Sequence, residues 1–352
     1  MSECWAGTLN ENCMFTPIPT RIVGPIKIKA EDFSTEINVP LATFETPLWP
    51  SVDRGARVSR LTDGIQVILL SDCMTRSILC ETKNAASAAK ILHELVGRKV
   101  ELENIAAQSS AFAKLQDWRG EVVGNLLYLR FAFTTGDASG HNMTTKAAES
   151  LLNWLLQQYP GLQYVSLSGN YCTDKKVSAV NGILGRGKSV VAEIVIAKEI
   201  CWRQLHVTAD AVVALNVKKN LIGSILAGSI RSANAHFANM LLAFYLATGQ
   251  DAANIVEGSQ GIVYAENRNG DLYFSVNLPN IIVGTIGSGK DLPFVRENLA
   301  LLGCTEELAP SKNAQRLALI AAATVLCGEL SLLAALANRG ELMRGHLALE
   351  RK

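Results

Sequence analysis

The chain has 352 residues, with 33 basic and 32 acidic side chains and a formal net charge of +1 at pH 7. This balance gives no electrostatic reason to bind nucleic acid or an anionic membrane surface, and the length predicts two domains. The 8 cysteines form no C-x-x-C pair or metal-ligand spacing and no signal peptide pattern is present, so we expect free thiols, no metal, and a soluble, cytoplasmic protein.

The first half of the chain changes from irregular structure to alternating strands and helices. Residues 1–50 are rich in proline and predict irregular chain with edge strands. Alternation from residue 64 onward predicts an α/β or α+β module over about residues 77–166. The predicted elements are a strand at 64–70, a helix at 85–95 stopped by Gly97, a strand at 125–133 and a helix at 143–158.

Beyond residue 205 the sequence is mainly helical. Residues 229–248 contain no glycine or proline and predict one central helix ended by Gly249. Residues 320–337 approach membrane-spanning length but carry Glu329 near the middle, which predicts a packed helix within a closing helical region. The other predicted elements of this half are helices at 209–215 and 314–338 and strands at 273–276 and 281–285.

Two glycine-lysine runs raise the question of a nucleotide-binding loop. Residues 182–189 satisfy G-x-x-x-x-G-K-[ST], and residues 284–291 fail it only at Asp291. A phosphate loop needs a buried strand before it and a helix after it, because the phosphates bind at the helix N-terminus. Residues 190–196 instead predict a strand after the first run. A nucleotide triphosphatase is therefore a disfavoured alternative, and a surface turn with a solvated lysine is the simplest one.

Residues 168–176, here called the Lys175 loop, gather hydroxyls, a carboxylate and two ammonium groups. That combination suits an anionic, carbonyl-bearing substrate, because a cation stabilises an oxyanion that develops on the carbonyl. His236 and Asn239 share one face of the predicted central helix. Taken alone, a hydrogen-bonded core histidine is the favoured explanation of this pair, and an ordinary helix N-cap is the favoured explanation of Asp251.

Two further groups have simple alternatives. Glu45 has apolar neighbours in the sequence, where burial would let a carboxyl group carry a proton at neutral pH, but an exposed loop glutamate fits as well. His346 lies on a short terminal tail, where most histidines are solvated.

Taken together, these segments resemble the catalytic domain of 3-hydroxy-3-methylglutaryl-coenzyme A (HMG-CoA) reductase, nearer to the eukaryotic-type (class I) enzymes. The resemblance covers almost the whole chain and includes Gly-Asp-Ala-Ser-Gly-His-Asn-Met at 136–143 and the whole Lys175 loop. The other matching segments are 11–12, 17–25, 38–43, 74–76, 185–191, 227–229, 234–236, 249–251 and 328–332.

The resemblance implies an α+β (mixed α/β) fold without a Rossmann domain. A large, helix-rich domain that binds HMG-CoA would comprise residues 1–76 and 167–352. A small ferredoxin-like domain that binds NADP(H) would be inserted at residues 77–166, and residues 340–352 would form a mobile lid. The implied reaction is the four-electron reduction of (S)-HMG-CoA to (R)-mevalonate and CoA by two NAD(P)H, through a thiohemiacetal and mevaldehyde.

The resemblance also assigns residues to this site. The family's catalytic positions fall on Glu45, Lys175, Asp251 and His346. Its substrate contacts fall on Arg54, Arg76, Ser168, Asp174, Lys176 and Asn239. Its cofactor contacts fall on Ser110, Asp137, Ser139, Gly140, His141, Asn142, Gly287 and Gly289. Lys175 would stabilise the oxyanion, Asp251 would hold Lys175, His346 would protonate the CoA thiolate, and Glu45 would assist at the aldehyde stage.

Departures from the family pattern lie on the cofactor side. The family's D-A-M-G-M-N-M is Asp-Ala-Ser-Gly-His-Asn-Met at 137–143, and its G-G-G-T is Gly-Ser-Gly-Lys at 287–290. The family's cofactor is NADPH, which is therefore expected here. The arginine that helps to bind its 2′-phosphate aligns with Ala111, however, and this loss makes NADH an alternative. Lys114, Lys290 or His141 are candidates to supply the missing charge.

The expected partners are HMG-CoA, NAD(P)H and further copies of this chain, in a homodimer or homotetramer with interfacial active sites. A catalytically weak or non-catalytic acyl-CoA-binding homologue with an altered cofactor site is the alternative function.

Overall fold

The mixed α/β architecture expected from the sequence is confirmed. The computed structural model describes residues 15–350, apart from the side chains of residues 346 and 348–350. The strands are β1 (Thr20–Lys29), β2 (Ser34–Ala42), β3 (Ile65–Glu81), β4 (Leu115–Val123), β5 (Leu126–Phe133), β6 (Gln163–Ser166), β7 (Gly187–Ile196), β8 (Ile262–Arg268) and β9 (Asp271–Ile281).

Helices cover both sheets, and several are short. The α-helices are α1 (Leu48–Leu61), α2 (Ala85–Val96), α3 (Lys99–Ala107), α4 (His141–Gln158), α5 (Ala179–Leu184), α6 (Lys198–Ile200), α7 (Ala209–Leu215), α8 (Ser224–Leu226), α9 (Phe237–Ala247), α10 (Ile255–Gly258), α11 (Pro293–Leu301), α12 (Lys312–Ala337) and α13 (Glu341–Glu350). Cys201–Leu205 and Asn216–Gly223 are π-helical, and Ala252–Asn254 is a 3-10 turn.

One long strand, β3, belongs to two sheets. Its first part pairs in parallel with β1 and antiparallel with β7, in a sheet of order β2-β1-β3-β7-β9-β8. Its second part, from Met74 to Glu81, pairs antiparallel with β5 and β6. Because a strand is a stiff element, this continuity fixes the position of the second sheet relative to the first.

The second sheet has the ferredoxin-like arrangement. Its strands occur in the order β4-β5-β3-β6, all pairs are antiparallel, and helices follow β3 and β5 along the chain. Leu129, Phe131 and Phe133 of β5 are fully buried against Leu151 and Leu155 of α4 in a hydrophobic core drawn from residues 78–162. A second, larger core is drawn from residues 23–67 and 190–334.

Helix α12 forms the centre of the larger core. It is long and apolar enough to cross a membrane by length and composition, but 94% of its most apolar window is buried inside the protein. This burial confirms the prediction, made from the position of Glu329 within the apolar stretch, that the helix is packed inside the protein. Helix α1 lies directly against it, since a Cβ atom added to Gly55 would meet the carbonyl oxygen of Cys327 at 2.3 Å.

Two predicted elements were wrong. Residues 229–236 are not helical, because Asn234 bonds through its side chain to the carbonyl oxygens of Ser259 and Gly261 and its Oδ1 accepts the Phe237 N–H. The strand predicted at 273–276 is confirmed as part of β9, but the separate strand predicted at 281–285 is wrong. Strand β9 is continuous from Asp271 to Ile281, and residues 282–285 leave the sheet.

We expect Gly55→Ala to lower the free energy of unfolding by about 1–3 kcal/mol, because the added methyl group overlaps the backbone of α12. Gly345→Ala is the matched control, since Gly345 also lies in a helix but has nothing within 4 Å of an added Cβ. Denaturant unfolding of both variants tests this packing. Equal stability of the two variants would contradict it.

Candidate active site

The Lys175 loop contains three residues with left-handed backbone conformations that are not glycine. The φ angles are 58° at Asn170, 45° at Thr173 and 55° at Lys175. Each such residue costs about 1–3 kcal/mol and persists only where the surroundings hold it. Strain of this kind is concentrated at functional sites, so the loop is the strongest candidate for one.

Side chains from outside the loop hold its backbone in this conformation. Ser77 Oγ, on β3, accepts the N–H of Cys172 at 3.2 Å. Asn181, which is fully buried on α5, donates from Nδ2 to the carbonyl oxygen of Thr173 at 3.1 Å. The loop is therefore anchored both to the strand that the two sheets share and to the helix that follows it.

A buried ion network lies beneath the loop. Arg186 is 1% exposed, and its guanidinium donates to Glu257 Oε1 at 2.7 Å and lies 2.9 Å from Asp174 Oδ1. Glu257 is also fully buried, and its Oε1 accepts the N–H of Lys175 at 3.1 Å. Burial raises the pKa of the Glu257 carboxyl, against the opposing effect of the Arg186 charge.

The side chain of Lys175 points to Asp251, the N-cap of the 3-10 turn that precedes α10. Lys175 Nζ lies 2.6 Å from Asp251 Oδ2, and the two side chains are 40% and 43% exposed. The hydrogen bond to Asp251 raises the pKa of Lys175. Burial alone would raise the pKa of Asp251, but hydrogen bonds from Lys175 and from the Ala253 N–H outweigh it and lower the pKa. The pair is therefore an ammonium and a carboxylate at neutral pH.

The small sheet reaches the same site through β3 and α4. Arg76 donates to Thr145 Oγ1 at 2.9 Å and lies 3.9 Å from Asp174. His141, at the start of α4, has Nε2 at 3.3 Å from Asn254 Oδ1 and at 3.7 Å from Asp174. Burial, followed by the charge of Arg186, lowers the pKa of His141, so the ring is neutral at pH 7.

Two segments predicted to contact the cofactor lie against each other. The carbonyl oxygen of Asp137 accepts the N–H of Thr285 at 2.8 Å, and Ala138 forms a parallel bridge with Ile286. A Cβ atom added to Gly284 would meet the Ser139 nitrogen at 2.4 Å, so this contact requires glycine. Residues 137–142 and the glycine loop, residues 284–290, therefore form one surface.

This surface offers bare backbone and a helix N-terminus. No side chain caps α4, whose N-cap Gly140 has φ 93°, and Asn142 on its first turn is exposed. Gly287 and Gly289 are exposed with φ angles of 105° and 81°. Free N–H groups at a helix start bind phosphate groups, so these residues fit the pyrophosphate of a dinucleotide.

Neither lysine of the two glycine-lysine runs is free to bind a phosphate. Lys188 lies at the start of β7, is 2% exposed and pairs with Asp72 at 3.1 Å. Lys290 donates to the carbonyl oxygens of Thr248 and Gly249 at the end of α9, and burial lowers its pKa to about 8. Because a strand follows Gly187 where a phosphate loop needs a helix, the nucleotide triphosphatase alternative is wrong.

Comparison with known proteins names the family. A model of the hydroxymethylglutaryl-coenzyme A reductase family matches residues 4–351. The chain belongs to the HMG-CoA reductase family.

Members of this family are similar to the chain in both sequence and fold. The 3-hydroxy-3-methylglutaryl-coenzyme A reductase of Pyrococcus abyssi is 44% identical, over 95% of this chain and 82% of that protein. That of Phycomyces blakesleeanus is also 44% identical, over 98% of this chain but 29% of its own length. A solved class II HMG-CoA reductase from Streptococcus pneumoniae, bound to NADPH, has a TM-score of 0.74 at 20% identity and covers 94% of this chain and 88% of that chain. The structural likeness shows the fold.

Several residues assigned from the HMG-CoA reductase resemblance are not among the contacts of the Lys175–Asp251 pair in the described part of the structure. Glu45 is exposed in the turn before α1, and among the described residues no hydrogen bond or ion pair reaches its carboxylate, so the apolar surroundings expected for it are not found. Arg54 donates to the carbonyl oxygens of residues 204 and 205 and pairs with Glu341 at 2.7 Å. His346 lies on α13, and its side chain is outside the described part of the structure.

The other assigned residues have local partners. Ser168 is exposed, and its N–H donates to Ser166 Oγ at 3.0 Å. Lys176 Nζ donates to the carbonyl oxygen of Asp174 at 3.0 Å. Asn239 Nδ2 lies 3.4 Å from His236 Nδ1 at the start of α9. The hydroxyl of Ser110 accepts the Phe112 N–H at 3.2 Å in the turn before β4.

Sequence reasoning missed the buried groups of this reductase-family site. Arg186 lies within the first glycine-lysine run, but no role was predicted for it, and none was predicted for Glu257 or Asn254. For Arg186 and Glu257 the one signal in the sequence is a single charge within an apolar or glycine-rich segment, since a buried charge must have a partner.

Asp137 has a structural role that can be measured separately from cofactor binding. Its carboxylate accepts the N–H groups of Ser311 and Ala314 at 3.0 and 2.9 Å, at the start of α12. We expect Asp137→Ala to lower the free energy of unfolding by about 1 kcal/mol, because both N–H groups lose their acceptor. Asp137→Asn retains one oxygen and should lose less stability in denaturant unfolding. Equal losses in both variants would contradict this capping.

Proposed function

We propose that this protein is an HMG-CoA reductase that converts (S)-HMG-CoA to (R)-mevalonate and CoA with two equivalents of NAD(P)H. The observation that carries the proposal is the Lys175–Asp251 ion pair at 2.6 Å, held on a strained loop beside a bare-backbone surface. Membership of the family supports it.

Lys175 acts on the oxygen of the carbonyl that is reduced. When bound, the nicotinamide cofactor supplies the hydride. As negative charge develops on the thioester oxygen, the Lys175 ammonium stabilises it, and the same group serves the aldehyde at the second reduction. Asp251 keeps Lys175 protonated between the two reductions, because its carboxylate raises the pKa of that lysine.

Charged side chains around Asp174 bind the free carboxylate of the substrate. Arg76 still has a long 3.9 Å contact with Asp174, and Lys176 is exposed at the rim, so both can turn to an incoming anion. Ser168 and Asn239 complete the proposed set as polar groups. The altered contacts of Arg76 would then couple substrate binding to Asp174 and the buried Arg186.

The terminal helix α13 is the proposed lid, which brings His346 to the CoA thiolate as a proton donor. Its first turn is held by Glu341, which pairs with Arg54 at 2.7 Å and accepts from Asn338 at 2.8 Å. If Arg54 binds the substrate, it must release Glu341. Substrate binding would in this way loosen the base of the lid.

The preference for NADPH depends on a positive charge near Ala111. Lys290 is unavailable, since its ammonium is buried on two carbonyl oxygens, and His141 is neutral. Lys114 is exposed at the start of β4, and among the described residues its side chain has no ion-pair partner. Lys114 is therefore the remaining candidate for contact with the 2′-phosphate.

A second copy of the chain would complete the site and make the protein a homodimer or homotetramer. The surface around α8 is unusually apolar, with Ile225 and Leu226 exposed to 77% and 84% and Ile222 and Ile230 nearby in sequence. Phe44, next to Glu45 in the sequence, is also 71% exposed. A second subunit that covered Phe44 would supply the apolar surroundings that Glu45 lacks. We propose a soluble, cytoplasmic assembly, in keeping with the burial of α12.

The alternative is a weak or non-catalytic homologue that binds acyl-CoA. The altered cofactor residues favour it, since His141 and Lys290 place new side chains beside the glycine loop. Normal affinity for a nicotinamide cofactor would exclude it.

We expect HMG-CoA-dependent oxidation of NADPH, followed at 340 nm, and slower oxidation of NADH. Lys175→Ala should lower kcat at least about 100-fold, because the oxyanion loses its cation. Lys218→Ala, a change of an exposed lysine on the π-helix before α8, is the control and should keep wild-type activity. No oxidation of either cofactor by the wild type would move the assignment to the acyl-CoA-binding alternative.

In light scattering we expect the wild type to have at least twice the mass of one chain at micromolar concentration. Ile225→Asp with Leu226→Asp should shift it to the monomer, because buried apolar contacts would be replaced by charges. Val100→Asp, at a position 69% exposed on α3, is the control for an added charge. A monomeric wild type would contradict the interfacial site.

A further inference from the structure

Glu257 lies directly behind the Lys175 loop and contacts the backbone of the reactive lysine. Its carboxylate is fully buried on α10. Oε1 accepts from Arg186 Nη1 at 2.7 Å and from the N–H of Lys175 at 3.1 Å. The resemblance to the family assigned no role to this residue. Its contact is with the main chain of Lys175, whereas Asp251 contacts the ammonium.

The backbone geometry explains why this contact matters. Lys175 has φ 55°, a conformation that a residue with a Cβ adopts at a cost of about 1–3 kcal/mol unless its neighbours hold it. In this conformation the N–H points inward to Glu257 while the side chain points outward to Asp251. A return to an ordinary backbone conformation would remove one of the two donors to Glu257 Oε1, would leave the Lys175 N–H without its acceptor, and would turn the ammonium away from Asp251.

We propose that Glu257 is a positioning residue for the reduction, holding Lys175 through its backbone N–H and through its buried negative charge. The proposal rests on the proposed reductase function. Arg186 is what allows a carboxylate to exist here, because its guanidinium is itself buried and pairs with both Glu257 and Asp174. The Arg186 guanidinium thus links α10 to the Lys175 loop.

The charge of Glu257 also bears on the protonation of Lys175. The hydrogen bond to Asp251 raises the pKa of Lys175 most, burial opposes it, and the charges of Asp251, Asp174 and Glu257 raise it further. Other groups that face this region are the Arg186 guanidinium, the neutral ring of His141, the Arg76 guanidinium at 3.9 Å from Asp174, and the Lys176 ammonium on the Asp174 carbonyl oxygen. Removing the Glu257 charge should therefore lower the pKa of Lys175, so that the ammonium is lost at a lower pH as pH rises.

Two variants distinguish the effect of the Glu257 charge from the effect of its side-chain length. Glu257→Gln keeps an oxygen that can accept the Lys175 N–H but removes the charge, whereas Glu257→Asp keeps the charge and withdraws it by one methylene. We expect kcat to fall about tenfold in each, with KM for HMG-CoA within about twofold, because a positioned hydrogen bond to a charged group is worth roughly a factor of ten. The alkaline limb of the pH profile of kcat/KM should move to lower pH only in Glu257→Gln.

The titration of Lys175 can be measured without turnover. Reductive methylation with ¹³C-formaldehyde labels the lysines, and the Lys175 signal in the NMR spectrum is assigned by its loss in Lys175→Arg. We expect this signal to titrate at lower pH in Glu257→Gln than in the wild type. If the wild type does not reduce HMG-CoA, the proposed function fails, but this titration still decides whether Glu257 acts on Lys175.

Glu329→Gln is the matched control. Glu329 is also a fully buried carboxyl that accepts a backbone N–H, from Ala235 at 2.9 Å, but it lies on α12 and faces the start of α9. Its variant should lose stability and leave the Lys175 titration unchanged. A Glu257→Gln protein with wild-type kcat and a wild-type Lys175 titration would overturn the proposal. If that variant does not fold, wild-type kcat in Glu257→Asp overturns it.

Discussion

The site depends on one buried guanidinium. Arg186 has almost no exposed surface, and it bonds to a carboxylate on the Lys175 loop and to another on α10. Taking the charges of Arg186 and Glu257 out of water is costly, and removing one partner of such a pair typically costs about 3–5 kcal/mol. The network is therefore worth little as added stability, but it penalises every arrangement that separates the loop from α10. Asp174, Lys175 and Asp251 keep their relative positions because that penalty is high.

The shared strand β3 brings the two cores to this network. Its first part belongs to the large sheet and its second part to the ferredoxin-like sheet, so the position of β3 is fixed by both cores. Ser77 and Arg76 contact the Lys175 loop from this strand. Helix α4 then places His141 beside Asp174 and Asn254. On the far side, the close contact of Gly284 with Ser139 joins the glycine loop to the same small sheet. Several of the residues proposed to bind substrate and cofactor thus converge where β3 passes from one sheet to the other.

The sequence predicted those parts of the fold whose signals are local. Helix α2 runs from Ala85 to Val96 between the cap residues Asn84 and Gly97, so the helix predicted at 85–95 from apolar spacing and Gly97 was nearly correct. Residues 229–236 were predicted as helix because nothing local forbids it. What prevents it is distant: Asn234 bonds to residues 259 and 261, and Glu329 accepts the N–H groups of residues 235 and 236. Lys175, Asp251 and Asp174 were found through a family motif. Arg186 and Glu257 were not, because their pairing over 71 residues has no periodicity or spacing that a sequence displays.

Lys175 combines a fixed backbone with a side chain that is comparatively free. Its N–H is anchored to a buried carboxylate, while its ammonium is 40% exposed and held by one ion pair with an equally exposed Asp251. This division would suit a lysine that serves the two successive reductions proposed above. The same oxygen atom passes from the thioester to the aldehyde, and it is free to change position when its carbon loses the large CoA thiolate. A lysine packed along its whole length would match only one of these positions. An anchored Cα with a four-carbon stem lets the ammonium follow the oxygen, and Asp251 keeps it charged at both, so the rigidity that the reaction needs lies in the buried network beneath the loop.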